Sequence, residues 1–325
     1  MKFSFLKTSQ FLTLNSFGLS ISQSSIRIAK LTPKNTGYIP AIIEDVPIKE
    51  SCDFFSNPNE YTECPVLKKT LIELRKKHKI KFAQVAIPEE HTYIFKVAIP
   101  STDIELVHDF IVNNIDQHIP LTAQEIVFDY KILDKVSHDN NLSVVVTAIP
   151  EIIIERYTSI LESAGIQVTA CEPETHAIAR CVIDKGDTNP YIIINVDRNS
   201  TNISVVENGL VQYTQTISVS INDFYKKTDQ DAAATLRDAV NKVIIYWFTS
   251  QETGTQEKIE NIILTGEGVD KTDLINFLES NLFVNATIAN VWTNCFDLYS
   301  YVPKVSKTES LKYATSIGLA MYKIK

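Results

Sequence analysis

The sequence predicts an α/β protein made of two related halves that face one cleft. Tyr191 to Gly209 reads YIIINVDRNSTNISVVENG, in which a β-branched apolar run enters a polar turn and a second β-rich run leaves it. Phe17 to Leu31, FGLSISQSSIRIAKL, has the same order of strand, polar turn and strand near the N-terminus. Apolar runs bounded by small polar residues are typical of buried strands joined by turns. A cleft that binds a nucleotide needs two such turns to bind its phosphates.

Both turns carry groups suited to a phosphate or to metal-bound water. Asp197 supplies a carboxylate in the second turn, and small side chains around it let backbone N–H groups approach an anion. Taken alone, the second turn is better explained as an ordinary polar hairpin turn. The candidate cofactor-binding residues are Ser22, Ser24, Ser25, Asn199, Ser200 and Thr201.

A third stretch, IILTGEG at 262–268, is a strand that runs into a glycine-rich turn. Gly266 and Gly268 allow the backbone to come close to a ligand, and they are equally compatible with a sharp strand–helix connection. The order of the three stretches along the chain is more informative than any one of them.

Composition limits the class of protein. With 325 residues and 44% hydrophobic side chains, the chain can bury a core large enough for two globular domains. The net charge of −8 argues against a nucleic-acid partner. No apolar run approaches the roughly 20 residues that span a bilayer, and polar residues interrupt the apolar positions of the opening segment, so we expect a cytoplasmic protein. The five cysteines lack a C-x-x-C pair, which favours reduced thiols.

Helical spacing and turn residues divide the rest of the chain. Pro65 opens a predicted helix that runs to about Lys77, and residues 82–168 read as an α+β block with a helix from Glu151 to Ala164. Any small α+β module would fit the same block. Three further helices are predicted at about 231–253, 272–282 and 310–324.

Over almost its whole length the chain resembles the actin-like ATPase superfamily, whose fold is ribonuclease H-like and two-lobed. Within it, the resemblance is to the FtsA/PilM group and to the type IV pilus assembly protein PilM family. The blocks that carry the resemblance are GLSISQSSIRIAKL, ILESAGIQVTACEPETHAIAR, IENIILTGEGVDKTDLINFL and YATSIGLAMY.

The resemblance implies a domain plan. Residues 1–81 would form the first part of subdomain 1A, 82–168 an inserted subdomain 1C, and 169–189 a further helix of 1A. Residues 190–305 would form subdomain 2A, and 306–325 a helix that returns to 1A. Relatives carry a small subdomain, 2B, that contributes to the nucleotide pocket; here the chain passes almost directly from Ser220 to the helix at Asp231, so 2B is expected to be reduced.

The resemblance also implies a site. Asp197 would hold Mg²⁺, Glu174 would orient the attacking water, and Gly266 and Gly268 would contact the adenosine of ATP. For Glu174 the alternative is a carboxylate that the helix dipole stabilises at a helix N-terminus. Several positions depart from the family pattern, so we expect ATP hydrolysis to be degraded and either ATP with Mg²⁺ or no cofactor. These positions are Ser20 for aspartate, and Ser22, Asn199 and Glu267 for glycine.

The function that follows from the resemblance is a scaffold at the inner face of the cytoplasmic membrane. It would bind the N-terminal cytoplasmic peptide of a PilN-like membrane protein near Tyr93, Phe95 and Val97. The pilus motor ATPase and a second copy of the chain are further candidate partners. The alternative is an active ATPase of the same fold that switches partner binding with its nucleotide state, in pilus, secretion or division machinery.

Overall fold

The structure is a computed structural model that describes residues 16–34, 37–48, 54, 64–100, 103–136, 141–225, 230–250, 258–271, 273–299 and 301–321. The strands are β1 (Phe17–Ile21), β2 (Ser25–Lys34), β3 (Gly37–Pro47), β4 (Phe82–Ile87), β5 (Tyr93–Ile99), β6 (Ile126–Val136), β7 (Leu142–Pro150), β8 (Gln167–Pro173), β9 (Tyr191–Val196), β10 (Thr201–Glu207), β11 (Leu210–Ile217), β12 (Asn261–Gly266) and β13 (Asn285–Ile288).

The helices, apart from short 3-10 turns, are α1 (Pro65–His78), α2 (Val107–Asn114), α3 (Glu151–Ser163), α4 (Glu174–Val182), α5 (Ile221–Tyr225), α6 (Gln230–Ser250), α7 (Leu274–Leu282), α8 (Lys307–Ser310) and α9 (Ala314–Met321). Local sequence explains their ends. In α1, for example, proline stands where its missing N–H costs least, and the Sγ of Cys64 accepts a hydrogen bond from the N–H of Leu67 at 3.4 Å.

Two five-stranded sheets with the same topology form the two halves. The first has the order β3-β2-β1-β4-β8 and the second β11-β10-β9-β12-β13. In the first sheet, β3, β2 and β1 are antiparallel to their neighbours, and β4 and β8 run parallel to β1. The second sheet repeats this pattern: β11, β10 and β9 are antiparallel, and β12 and β13 run parallel to β9. The predicted α/β fold of two related halves is therefore confirmed.

Helices cover the sheets and join the halves. Helices α1 and α3 bury leucine and isoleucine side chains against one face of the first sheet, including Leu71, Ile153 and Leu161. Helices α6 and α7 pack on the second sheet through Leu236, Val243 and Leu278, among others. Helices α4 and α9 supply Ile178 and Ile317 to that same core while contacting the first sheet, so they lie between the halves.

A separate three-stranded sheet, with the order β5-β7-β6, packs on α2 around its own small core. It spans residues 93–150 and so occupies the middle of the block predicted at 82–168. The flanking parts of that block belong to the first sheet, because β4 pairs with β1 and β8 and is buried along almost all of its length.

Several predicted boundaries shift. The C-terminal segment forms α8, a 3-10 turn and then α9 in place of one continuous helix, and residues 322–324 of the predicted helix lie outside the described part of the chain. Cys171, Cys181 and Cys295 are free thiols as expected, but Cys64 is disulfide-bonded, so the prediction of reduced thiols is wrong there. Among the described residues no helix is both long and apolar enough to cross a membrane.

The close approach of α9 to α4 generates a prediction. A Cβ on Gly318 would overlap the carbonyl oxygen of Ala177, which belongs to the backbone and cannot move aside cheaply. We expect Gly318→Ala to lower the free energy of unfolding by about 3 kcal/mol or more, measured by denaturant unfolding.

The matched control is Gly209→Ala. Gly209 has a φ of +70° but open space around it, so the expected cost is about 1–2 kcal/mol from backbone strain alone. Equal costs for the two variants would contradict close packing of α9 on α4.

Candidate nucleotide cleft and partner groove

The two predicted turns meet across the cleft. The first, at residues 22–24, joins β1 to β2, and the second, at residues 197–200, joins β9 to β10. The side-chain N–H of Asn199 donates a hydrogen bond to the Oε1 of Gln23 at 3.1 Å. The halves therefore face one cleft, as predicted, and their turns are in direct contact.

In the first turn, the predicted phosphate-binding hydroxyls close the turn itself. The Oγ of Ser22 accepts a hydrogen bond from the N–H of Ser25 at 3.1 Å and lies 3.3 Å from the Oγ of Ser24. The Oγ of Ser25 is buried without a hydrogen-bond partner among the described residues. This turn is a self-contained hairpin turn, the alternative explanation given by the sequence.

The second turn is also closed by its own groups. The N–H of Asp197 donates to the carbonyl oxygen of Ser200 at 2.9 Å, and the Oδ1 of Asp197 accepts from the N–H of Arg198 at 2.8 Å. The hydroxyl of Thr201 is buried and donates to the carbonyl oxygen of Val219 at 2.6 Å. Of the predicted cofactor-binding groups in this turn, the Thr201 hydroxyl and the Asn199 amide are already engaged within the protein.

Gly266 and Gly268, in the third turn, are required by the local backbone geometry. Gly266 has a φ of +110°, and a Cβ there would overlap the carbonyl oxygen of Val196 on the neighbouring strand β9. Gly268 has a φ of +71°, and the space beside it is filled by Tyr225, whose hydroxyl donates to the carbonyl oxygen of Gly268 at 2.8 Å. Both positions require glycine whether or not a ligand binds.

A buried arginine that the sequence analysis missed fills the centre of the cleft. Arg27 pairs with Ser20 on β1 and with Asp45 on β3, so the three side chains form a row on one face of the first sheet. Its side chain is only 8% exposed. The Nη2 of Arg27 crosses the cleft to donate to the Oε2 of Glu267 at 2.8 Å and lies 3.6 Å from the Oδ1 of Asp197.

Two further cations complete an ionic network. Arg198 grips Glu267 with two hydrogen bonds, at 3.0 Å from Nε and 2.5 Å from Nη2. Lys312 donates to the Oδ2 of Asp45 at 3.1 Å. Burial opposes the charge of Lys312, but this hydrogen bond and Coulomb attraction to Asp45 and other neighbouring groups together outweigh it, so the pKa of Lys312 is raised. Three cations thus face three carboxylates: Arg27, Arg198 and Lys312 against Asp45, Asp197 and Glu267.

The network does not suit the Mg²⁺ that the resemblance implies. The Asp197 carboxylate faces a guanidinium at 3.6 Å, so a divalent cation there would meet an existing positive charge. Within the described ranges no group of three or more histidine, cysteine, aspartate or glutamate side chains could hold a metal ion. The residues present therefore do not fit the family's metal site.

Glu174, the second predicted catalytic residue, begins α4 beside the cleft. Burial raises its pKa well above the usual value for glutamate, and repulsion from Asp197, Glu90 and Glu89 raises it further. Glu89 is itself buried and accepts hydrogen bonds from the N–H and the hydroxyl of Thr175. Its pKa is also raised, because burial outweighs those hydrogen bonds. Burial in this region therefore favours the uncharged form of both carboxyl groups.

Among the described residues, a cavity of about 370 Å³ lies beside this network. Its charged lining consists of Arg198, Lys312, Glu267, Asp270 and Glu309. Both cations are already paired with carboxylates within the network, at Glu267 and Asp45. The cavity therefore offers a polyphosphate no unpaired cation from this set and exposes it to three carboxylates.

A second cavity, of about 430 Å³, forms a groove between the three-stranded sheet and the first half. One wall is the face of β6 and β7 that points away from α2, and the others are α3, the β8–α4 junction and the β10–β11 turn. The apolar lining includes Val127, Val145, Ile149, Ile154, Leu210 and Val211. We call this cavity the partner groove.

Polar side chains at the floor of the partner groove are satisfied or uncharged. Arg180 forms two hydrogen bonds with Glu172, at 2.6 and 2.5 Å, and a third with the carbonyl oxygen of Gly318. Burial and the neighbouring Arg180 lower the pKa of His176 to about 4, so its imidazole is neutral near pH 7. Asp129 and Lys131 on β6 add two charged side chains to the lining. Apart from these, the groove is suited to an apolar occupant.

Tyr93, Phe95 and Val97, the predicted partner-binding residues, do not line this groove. They lie on β5 and pack toward α2, where Phe95 stacks on His118 with ring centroids 4.8 Å apart and Val97 is buried. Alternation of side chains along a strand assigns them to two faces, but it does not show which face packs on the core between the three-stranded sheet and α2. Contact of Tyr93, Phe95 and Val97 with a partner stays a prediction.

Comparisons with known proteins agree with this architecture. The structure matches a PilM–PilN type IV pilus biogenesis complex with a TM-score of 0.73 and 14% identity, over 94% of this chain and 98% of that one. The cytoplasmic domain of EpsL, an inner-membrane component of the type II secretion system of Vibrio cholerae, matches with a TM-score of 0.50 and 10% identity, over 92% and 93%. No curated protein matches the chain in sequence.

The duplicated sheets and the cleft between them define the actin-like ATPase fold. The sequence profile of the type IV pilus assembly protein PilM family matches residues 18–234, which is more than half of the chain. The chain belongs to that family, as the sequence analysis inferred.

The raised pKa of Glu89 generates a prediction about pH. In the folded protein Glu89 keeps its proton over a pH range in which the unfolded chain has lost it. The stability that the protonated Glu89 side chain contributes is fully present below the usual glutamate pKa and is lost as pH rises through the raised value. Glu89→Gln removes it, so the Tm of the variant should improve relative to wild type as pH rises above the usual glutamate pKa.

Glu90→Gln is the control, because Glu90 is the adjacent residue and is exposed. A Tm difference for Glu89→Gln that stays constant with pH, or that falls as pH rises, would contradict the buried, protonated state of Glu89.

Proposed function

We propose that this chain is a cytoplasmic scaffold of a type IV pilus inner-membrane assembly platform, and that it binds the N-terminal cytoplasmic peptide of a PilN-like membrane protein in the partner groove. The observation that carries the proposal is the apolar groove between the three-stranded sheet and the first half. Membership of the PilM family supports the pilus role, and the likeness to a PilM–PilN complex supports the class of partner.

The groove suits an extended peptide. Both β6 and β8 are edge strands of their sheets, so each has one side whose backbone groups are not paired within the sheet. A peptide strand can add to such an edge through main-chain hydrogen bonds, while its apolar side chains enter the groove. Under this proposal the three-stranded sheet with α2 corresponds to the inserted subdomain 1C, and the PilN-like peptide lies between it and subdomain 1A.

ATP hydrolysis has no place in the proposed function. Arg27 stands where a metal ion would be needed beside Asp197, and Glu267 adds a carboxylate to the glycine-rich turn. Phosphoryl transfer in general depends on metal ions and other cations that stabilise charge on the phosphates. A switch driven by ATP would require the Arg27–Glu267 pair to separate, so the structure favours the scaffold over the ATPase alternative.

The location follows from the partner. A scaffold held by the peptide of a membrane protein would lie against the inner face of the cytoplasmic membrane. Contacts with the pilus motor ATPase and with a second copy of the chain remain predictions.

The test is binding of a synthetic peptide that contains the N-terminal cytoplasmic residues of the PilN-like protein from the same organism. Val127 lines the groove and its side chain is 49% exposed, so Val127→Lys should fold and place a charge in the apolar binding surface. We expect Val127→Lys to weaken the peptide's affinity at least about tenfold, measured by calorimetry, which corresponds to about 1.4 kcal/mol.

Ile104→Lys is the matched control. Ile104 is 62% exposed and lies in the same segment, residues 93–150, as the three-stranded sheet, but it does not line the groove. Unchanged affinity for Val127→Lys, or equal losses for both variants, would place the peptide elsewhere.

A further inference from the structure

The Glu267 carboxylate lies between two arginines that come from different halves of the molecule. Its Oε2 accepts hydrogen bonds from the Nη2 of Arg27 at 2.8 Å and from the Nε of Arg198 at 3.0 Å, while its Oε1 accepts from the Nη2 of Arg198 at 2.5 Å. Arg27 belongs to β2 of the first sheet, whereas Arg198 and Glu267 follow β9 and β12 of the second. The carboxylate thus joins the halves.

Two guanidinium groups that converge on one anion form the arrangement by which proteins recognise oxyanions. Here the anion is part of the chain. We propose that the Glu267 carboxylate is an intramolecular ligand of the cleft: it occupies an oxyanion position between the two halves and holds them together in the absence of any bound anion.

The backbone presents Glu267 rigidly for this role. Its neighbours Gly266 and Gly268 have φ values of +110° and +71°, conformations that other residues rarely adopt. The N–H of Glu267 donates to the carbonyl oxygen of Val196 at 3.1 Å, which anchors the turn to the end of β9. The carboxylate is therefore aimed across the cleft by the turn and does not depend on a flexible loop.

Because the Arg27 side chain is buried, its pairing with Glu267 matters for stability. A guanidinium that is 8% exposed requires a hydrogen-bonded counterion, because a buried charge without one is strongly destabilising. Asp45 and Asp197 lie 3.7 and 3.6 Å from Arg27, beyond hydrogen-bonding distance, so they contribute Coulomb attraction and do not replace the contact with Glu267. Without Glu267, two converging arginines would remain in a half-buried cleft.

That consequence distinguishes an intramolecular ligand from an ordinary salt bridge. If Glu267 occupies an oxyanion position, its removal creates a binding site for a small multivalent anion. The probe is inorganic pyrophosphate, which carries several negative oxygens and lacks a base and sugar that could bind elsewhere in the cleft. This inference concerns the cleft and does not rest on the proposed partner peptide.

The experiment compares wild type with Glu267→Ala in thermal unfolding at constant ionic strength. We expect the substitution to lower the Tm by about 5 °C or more, because it leaves a buried charge without its hydrogen-bonded partner. We expect millimolar pyrophosphate to restore most of that loss in the variant and to leave the Tm of wild type unchanged, because binding to the folded state alone raises stability. Glu309→Ala, in a carboxylate that lines the cavity beside the network, should show neither effect.

Two results would overturn the proposal. Equal stabilisation of wild type and Glu267→Ala by pyrophosphate would mean that Glu267 does not occupy the anion position. A destabilised variant that pyrophosphate fails to rescue would mean that Glu267 is a structural salt bridge and nothing more. If Glu267→Ala does not fold, Glu267→Ser also vacates the position between the arginines while keeping a small polar side chain, and the same selective rescue is expected.

Discussion

The ion pair between Arg27 and Glu267 is the central polar contact between the two halves, which the apolar packing of α4 and α9 also joins. It joins a strand of the first sheet to the glycine-rich turn of the second, over 240 positions of sequence. Arg198, Asp197, Asp45 and Lys312 surround it with two more cations and two more carboxylates, so the charges of the cleft balance within the protein. A buried charge without a partner is strongly destabilising. Separating the halves would therefore cost free energy at each of these contacts.

The cleft and the partner groove share helix α4, and this gives the ionic network a bearing on function. Glu174 begins the helix beside the cleft, and His176 and Arg180 on the same helix reach the floor of the groove. Arg180 also holds the carbonyl oxygen of Gly318, which ties α4 to the C-terminal helix. The cleft and the groove therefore both depend on the position of α4, and a groove that is already formed would bind the proposed peptide at a lower entropic cost.

The sequence predicted the fold well because its signals are local. Apolar runs, proline and glycine positions and the repeated strand–turn–strand unit identified both halves and most of the helices. The site was harder, because an arginine between Ile26 and Ile28 in an alternating strand signals an unusual position but does not identify a partner that is 240 residues away. The same limit applies to Tyr93 and Phe95, whose alternation defines a face without showing that α2 covers it.

We propose that the protein's own charges, and not a nucleotide, occupy the cleft between the two halves. The most direct test of this proposal is a thermal-shift titration of the wild-type protein with ATP and ADP in the presence of Mg²⁺, beside the Asp197→Ala variant. The account predicts no change in the Tm of wild type at millimolar nucleotide. A rise in the Tm of wild type that Asp197→Ala abolishes would contradict it, because the cleft would then bind nucleotide through the carboxylate that Arg27 faces.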